Sequence, residues 1–258
     1  MMPETSYDPT FFAKLWQVED RHFWFRARNA AIRGTLQRLI SRLPQGYRIL
    51  EVGCGTGNVL RHVEQVCRQG QVIGLDLFLE GLRFARQRVS CPLVQADIHQ
   101  PPFKTRFDLI GIFDVLEHLP DDRSVLRALH ALLAENGSLL ITVPAHMSLW
   151  SYFDEASHHY RRYQRRELHQ KLTETGFEVT FITHYMASIF PLVWLGRRLA
   201  ARKDTEAAAL ASNELKIVPI LNSLLTAILG LEARLVAACR RLPIGTSLLA
   251  IATKKAAD

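Results

Sequence analysis

The 258-residue sequence is thin in several features that define whole protein classes. Its four cysteines, Cys54, Cys67, Cys91 and Cys239, form no CxxC pair and follow no regular spacing. They read as reduced thiols in a cytosolic protein, with no sign of a disulfide framework. No GxxxxGK[ST] phosphate loop and no GxGxxG dinucleotide turn is present. The N-terminal MMPETSYDPTFF has no basic stretch leading into an apolar run, so no signal peptide is expected. The longest uncharged stretch, Ile217 to Leu231, falls short of the roughly 20 residues a spanning helix needs. A membrane-spanning protein is therefore not expected. There is no internal repeat, no low-complexity linker and no appended RNA-binding module.

What is present is an ordinary globular composition, 48% hydrophobic and 22% charged, with a net charge of +7. The charge is unevenly spread. From Tyr185 onward there are ten Lys and Arg against five Asp and Glu, so most of the basic surplus sits in the last third. Such a surplus suits phosphates, anionic lipids or acidic substrates, and equally a solvated face.

Strand-like and helix-like segments alternate. Residues 28–41 have helical spacing and stop before Pro44. YRILEV reads as a strand, followed by a helix through Val59 and Val63. QVIGLDL and LEGLRFARQRV repeat the pairing, and PLVQAD and RFDLIGIFDVL supply strands three and four. SVLRALHALLAENG reads as a helix capped by Gly137, SLLITVP as strand five, RRELHQKLTETG as a glycine-stopped helix and FEVTFITHY as strand six. SLLAIATKK, at the end, is the last strand, after about sixty residues of helical character. The alternation predicts an α/β, doubly wound sheet with strands buried on both faces.

Glu51-Val-Gly53-Cys54-Gly55-Thr-Gly57 directly follows the first strand and opens a helix. Glycines there let the chain turn sharply and let a ligand approach the backbone. Asp76 ends strand two, nineteen positions after Gly57, where a carboxylate can accept both hydroxyls of a ribose. Asp97 closes strand three. Loops collect glycine, so the triplet alone says little; the triplet with both acids in one βαβαβ frame says much more.

ILEVGCGTG, GLDL, QADI and FDVLEHL resemble the successive motifs of class I S-adenosylmethionine-dependent methyltransferases, over residues 45–184 with the final strand near 254. The resemblance implies a Rossmann-like seven-stranded sheet whose last strand is antiparallel. It also implies S-adenosylmethionine as cofactor, with S-adenosylhomocysteine as product. Glu51, Gly53, Cys54, Gly55 and Gly57 would hold its methionine part and Asp76 its ribose. Leu77 and Phe78 would flank the adenine, Asp97 and Ile98 would meet its edge, and Asp114 would lie near the methionine end. EDRHFWFRARN (19–29) and LWSYFDEASHHYRRY (149–163) further resemble bacterial methyltransferase domains of types 11, 12 and 23. The expected organisation is an N-terminal helical cap (1–44), a catalytic domain (45–184 with 246–255) and a helical insertion (185–245) between strands six and seven.

Methyl transfer is a direct displacement, needing alignment and, for a protonated acceptor, a base. His118, after strand four, and His159 are the candidate bases. The loop after strand five, 144–163, concentrates Trp150, Tyr152, Arg161, Arg162 and Tyr163 as candidate substrate contacts, its guanidinium groups suited to a carboxylate or phosphate. Asp114-Val-Leu-Glu117-His118 resembles the metal set of small-RNA 2′-O-methyltransferases, with His146, His158 or His159 as further ligands. Its first residue is Asp, however, and no metal is expected. HFWFRAR reads as a packing helix or a lid. FDVL stands where an NPPF-like tetrad would, against adenine-N6 and glutamine targets.

The insertion pairs apolar stretches, Tyr185–Gly196 and Ile217–Leu231, with basic ends at Arg197, Arg198, Arg234, Arg240 and Arg241. Packing on the domain, self-association into an oligomer, and contact with an anionic membrane all fit. The expectation is a cytoplasmic enzyme, peripheral on the inner membrane surface if the insertion binds lipid. It would methylate a small lipophilic or anionic acceptor, at oxygen by preference, with no nucleic-acid partner. An RNA or protein methyltransferase and a non-catalytic S-adenosylmethionine-binding protein are the alternatives.

Overall fold

The computed structural model describes residues 11–200 and 216–255. Its strands are β1 (Arg48–Val52), β2 (Gln71–Asp76), β3 (Leu93–Gln95), β4 (Phe107–Phe113), β5 (Leu133–Pro144), β6 (Phe177–Tyr185) and β7 (Ser247–Lys254). They join in one sheet in the order β3-β2-β1-β4-β5-β7-β6, with β7 antiparallel to both neighbours and the first five parallel. The order reverses between β1 and β4, so the carboxyl ends of β1, β2, β4 and β5 open on one crevice, where open α/β sheets bind ligands.

Both faces of the sheet are covered, as the near-continuous apolar strands require. Ile49, Leu109, Leu140, Leu249 and Ile251 face a core shared with α2 (Phe23–Ile40), α3 (Leu60–Val66) and the helix 219–237. Leu50, Ile110, Ile112, Leu139 and Ile141 face the other, with Leu126 and Leu129 of α5 (Asp122–Leu132) and Leu168 and Leu172 of α7 (Arg165–Glu174). Between these come α1 (Phe11–Val18), α4 (Leu79–Ala85) and α6 (Tyr152–Ala156); α8 (Phe190–Ala200) and α9 (Pro219–Ala237) follow β6.

Two boundaries differ from the sequence reading. Helix α2 starts at Phe23, five residues earlier, because the His22 ring caps it by accepting from the Trp24 N–H. Helix α5 ends at Leu132, and Gly137 does not cap it. The chain passes straight into β5, turning at Asn136 (φ +62°). A Cβ on Gly137 would stand 2.8 Å from the Ala134 carbonyl, so this glycine serves a close approach inside the strand.

Of the expected insertion, 185–245, residues 201–215 lie outside the described residues, and the rest contains α8 and α9. Helix α9 continues through Glu232 and Arg234, and by length and composition alone it could cross a membrane. Its packing gives it another place. Asn222 accepts from the Phe23 N–H at 2.8 Å and donates to the Arg21 carbonyl at 3.0 Å. Glu232 accepts from the Ala187 and Ser188 amides at 2.9 and 3.0 Å. Gly34 of α2 leaves room for the Ala237 methyl, which a Cβ there would meet at 2.6 Å. One face of α9 is thus bound to the protein by buried polar groups.

Candidate active site

The glycine turn follows β1. Gly53 (φ +70°) sits in the left-handed region, and a Cβ there would strike Val115 at 2.4 Å, so only glycine fits. The Gly53 and Cys54 amides donate to the Leu75 carbonyl, tying the turn to β2. Asp76 closes this arrangement: its carboxylate accepts from the Gly55 amide at 2.6 Å and the Phe78 amide at 2.9 Å. Burial pushes its pKa up to about 6 against those backbone donors. At the head of the turn Glu51 is buried, and its Oε2 has no hydrogen-bond partner. Burial raises its pKa well above the carboxylate range, against the pull of Arg28.

The N-terminal helices cover this turn. The Phe12 ring packs on Gly55 and Gly81 and lies 6.1 Å from the Phe78 ring. The cap is latched by charge. Glu19 pairs with Arg88 and accepts from Thr56 Oγ1 at 2.6 Å, both acid and guanidinium being buried. Asp20 takes Arg88, Arg61 and Asn58 at 3.2, 2.9 and 3.0 Å. Trp16 stacks under the Arg88 guanidinium at 3.8 Å. Arg88→Ala is therefore expected to speed amide exchange over Phe12–Val18 by at least about tenfold while the β1 amides keep their protection. Equal protection in both proteins would show that apolar packing alone holds the cap.

The crevice continues beyond β4 and β5. Asp114 (φ +54°) accepts from Arg28 at 3.1 Å and from Thr142 Oγ1 at 3.2 Å. Arg28 also meets Asn58, which Asn29 holds at 2.7 Å. Next to it, Glu117 is buried with Oε2 unpartnered, and burial followed by the Asp114 charge raises its pKa. His118 and His159 stand edge to face, ring centres 4.6 Å apart. Burial drops His118 to about 3, which makes it a weak base. His159 Nδ1 lies 2.9 Å from Asp154 Oδ1. Asp154, wholly buried in the capping box that starts α6, also accepts from Arg162 Nε at 2.7 Å and lies 3.5 Å from Arg197. Burial pushes its pKa up, but the His159 hydrogen bond and Arg162 outweigh it and hold the acid near 2. Glu117, His118 and His159 place ligand atoms within 4.8 Å of one another, close enough to share a cation.

The loop residues expected to contact substrate lie in the same region, but their polar groups are largely engaged. Arg162 spends its guanidinium on Asp154 and the Ala145 carbonyl. Arg161 bonds Asp122 and the Pro120 carbonyl, and Tyr163 is buried with its hydroxyl on Asp122 at 2.8 Å. Trp150 Nε1 reaches Glu155 at 3.4 Å, and Tyr152 opens α6. Asp97 is turned to His99, accepting from its amide, while Ile98 is buried and Leu77 is exposed. Sequence reasoning gave no role to Glu19, Arg28, Arg88, Thr142 or Asp154; the only signal was that 19–29 and 149–163 stood out as segments.

A family model described as a methyltransferase domain matches residues 24–181, more than half of the chain. The chain belongs to this methyltransferase family. Its fold is that of class I S-adenosylmethionine-dependent enzymes, and S-adenosylmethionine is the family's cofactor. Among curated relatives, a ubiquinone biosynthesis O-methyltransferase of Erwinia tasmaniensis is 34% identical over 105 residues, 38% of this chain and 42% of the relative. A malonyl-[acyl-carrier protein] O-methyltransferase of Legionella pneumophila is 34% identical over 100 residues, 37% and 35% of the two chains. The matched stretch spans less than half the length of either. The plantazolicin methyltransferase BamL, solved with a triazolic desmethylPZN analog and SAH, superposes with a TM-score of 0.61 at 14% identity, covering 96% of this chain and 91% of its own. That likeness is one of fold.

The methyltransferase's own residues fit the cofactor. Glu51 offers an unpartnered buried oxygen suited to an ammonium group, and Gly53, Gly55 and Gly57 carry no side chain of their own to hold a ligand off the backbone. Each Asp76 oxygen keeps a second lone pair for a ribose hydroxyl beside its backbone donor.

Proposed function

We propose that this methyltransferase transfers a methyl group from S-adenosylmethionine to an oxygen of a small acceptor, with His159 as the general base. The observation that carries the proposal is the buried Asp154–His159 pair beside Glu117 at the carboxyl edge of the sheet. An imidazole that donates Nδ1–H to a carboxylate carries its lone pair on Nε2, which is the arrangement of a base held in one tautomer. Asp154 acts here as a positioning residue. When bound, the cofactor supplies an electrophilic methyl on a sulfonium. The acceptor hydroxyl gives its proton to His159 Nε2, and its oxygen lone pair forms the new O–CH₃ bond. Held by the glycine turn and Asp76, S-adenosylmethionine would supply the methyl, keep the C–S bonding pair and become S-adenosylhomocysteine. The N-terminal cap and α8 exclude water from this chemistry; Arg197 of α8 reaches over to the Leu149 carbonyl.

The preference for oxygen draws on the two curated relatives, each named as an O-methyltransferase. Hydroxyl acceptors also need the base that the geometry offers, whereas an unprotonated amine does not. On an identified hydroxyl acceptor, His159→Ala is expected to lower kcat by about a hundredfold or more with S-adenosylhomocysteine affinity unchanged within about twofold. Asp154→Asn should shift the acid limb of the pH–rate profile. Full turnover by the His159→Ala protein would remove the base from the mechanism.

A further inference from the structure

The face of α9 turned away from the protein body has a composition that folding alone does not require. Ile220, Leu221, Leu224, Ile228, Leu231 and Leu235 recur at helical spacing along it, and all are exposed, Ile220 at 87% and Leu231 at 62%. Asn222, Leu229, Glu232, Ala233 and Val236 occupy the opposite, buried face. Six large apolar side chains in one stripe exceed the scattered exposure usual on a soluble surface. Leu192 and Leu195 of α8 are exposed as well.

Among the described residues, the charges that flank the stripe along the chain are basic. The single acid of α9, Glu232, points into the protein and is held by Ala187 and Ser188. Residues 185–200 contain no acid at all. Lys216 precedes the helix, Arg234 lies within it, and Arg240 and Arg241 follow it, all exposed. The next described carboxylate in chain order is not reached before the chain's last described residue, Lys255. An apolar stripe between cations is complementary to a surface whose outer layer is anionic and whose interior is hydrocarbon. A second copy of the chain would instead set these like charges against themselves.

We propose that α9 is a membrane-docking face, lying in the headgroup layer of an anionic bilayer with its stripe inserted and its Asn222–Glu232 face kept on the protein. The helix lies on the membrane and does not cross it, since the buried polar face stays bonded to α2 and to the start of α8. The docking stands independently of methyl transfer. Combined with the proposed chemistry, it selects acceptors that partition into the bilayer.

The test is flotation of the full-length protein with extruded vesicles of phosphatidylcholine alone or with about one-third phosphatidylglycerol. The protein is expected to float with the anionic vesicles and not the neutral ones, and to be released by high salt. Leu224→Glu/Leu231→Glu should lose flotation entirely, and Arg240→Gln/Arg241→Gln should weaken it by about thirtyfold. S-adenosylhomocysteine binding by each variant checks folding, since α9 lies outside the cofactor crevice; its loss in the wild-type protein bears on the chemistry and leaves the docking result standing. A wild-type protein that stays with the soluble fraction, or that light scattering shows to be a dimer broken by the Leu224→Glu/Leu231→Glu change, overturns the proposal.

Discussion

Asp154→Ala is expected to destabilise the protein by about 3–5 kcal/mol, the usual cost of removing one member of a buried charge cluster. The acid is completely buried, and three groups depend on it: His159 at 2.9 Å, Arg162 at 2.7 Å and Arg197 at 3.5 Å. Side-chain exposures of 5% and 11% leave the two guanidinium groups little water to replace it. The same carboxylate closes the capping box of α6 by accepting from the Ser151 amide. Asp154→Asn keeps the cap and the shape but not the charge, so it should lose about half as much. The pH dependence has a definite sign. The folded acid titrates near 2, below its ordinary value near 4, so its stabilisation is full above pH ~4 and disappears as pH falls through about 2. Urea unfolding of the two variants and the parent measures all three effects. A loss under about 1 kcal/mol for alanine would mean that water reaches the arginines.

This cluster also marks where the sequence stops being readable. Strands β1, β2, β4, β5 and β6 announce themselves because each is a short apolar run whose alternate residues enter two cores, as Ile49 and Leu50 do. The glycine turn is legible for a related reason: Gly53, Gly55, Gly57 and Asp76 shape the backbone within one βαβ unit, so their spacing shows in the sequence. The boundaries missed are those decided by a single local contact. His22 starts α2 early, and the turn at Asn136 converts the end of an amphipathic helix pattern into strand.

Partnerships across long stretches of chain leave no such trace. Glu19 meets Arg88 across 69 residues, and Arg28 meets Asp114 across 86. Neither pair has a period or a motif. Arg161 and Arg162 illustrate the converse. A guanidinium in a loop reads as an anion site until its acid is known, and Asp122 and Asp154 occupy both. The apolar insertion was visible as composition, yet composition could not separate its two faces; the hydrogen bonds of Asn222 and Glu232 do that.

Asp76→Ala is expected to weaken binding of S-adenosylhomocysteine by about a hundredfold, ~2.7 kcal/mol, read by calorimetric titration. The carboxylate orders the turn through Gly55 and Phe78, and on the proposed reading it also accepts from the ribose, so the ligand contact and the shape of its cradle would be lost together. Asp76→Asn keeps one acceptor oxygen and should lose about tenfold. Titrating the same group separates binding from folding. Burial raises its pKa to about 6, so below that value the folded protein carries the neutral acid, with one acceptor fewer. Cofactor affinity should therefore fall by about tenfold as pH drops from about 7 to about 5, and the asparagine variant should lack that step. Stability moves the other way. A carboxyl group whose folded pKa lies above its unfolded one contributes most below pH ~4, and that contribution is lost as pH rises through about 6. Acid should thus weaken the ligand while favouring the fold at this one residue. A binding loss in acid that Asp76→Asn retains would transfer the effect to Glu51, the other buried carboxyl of the turn, whose raised pKa has the same sign.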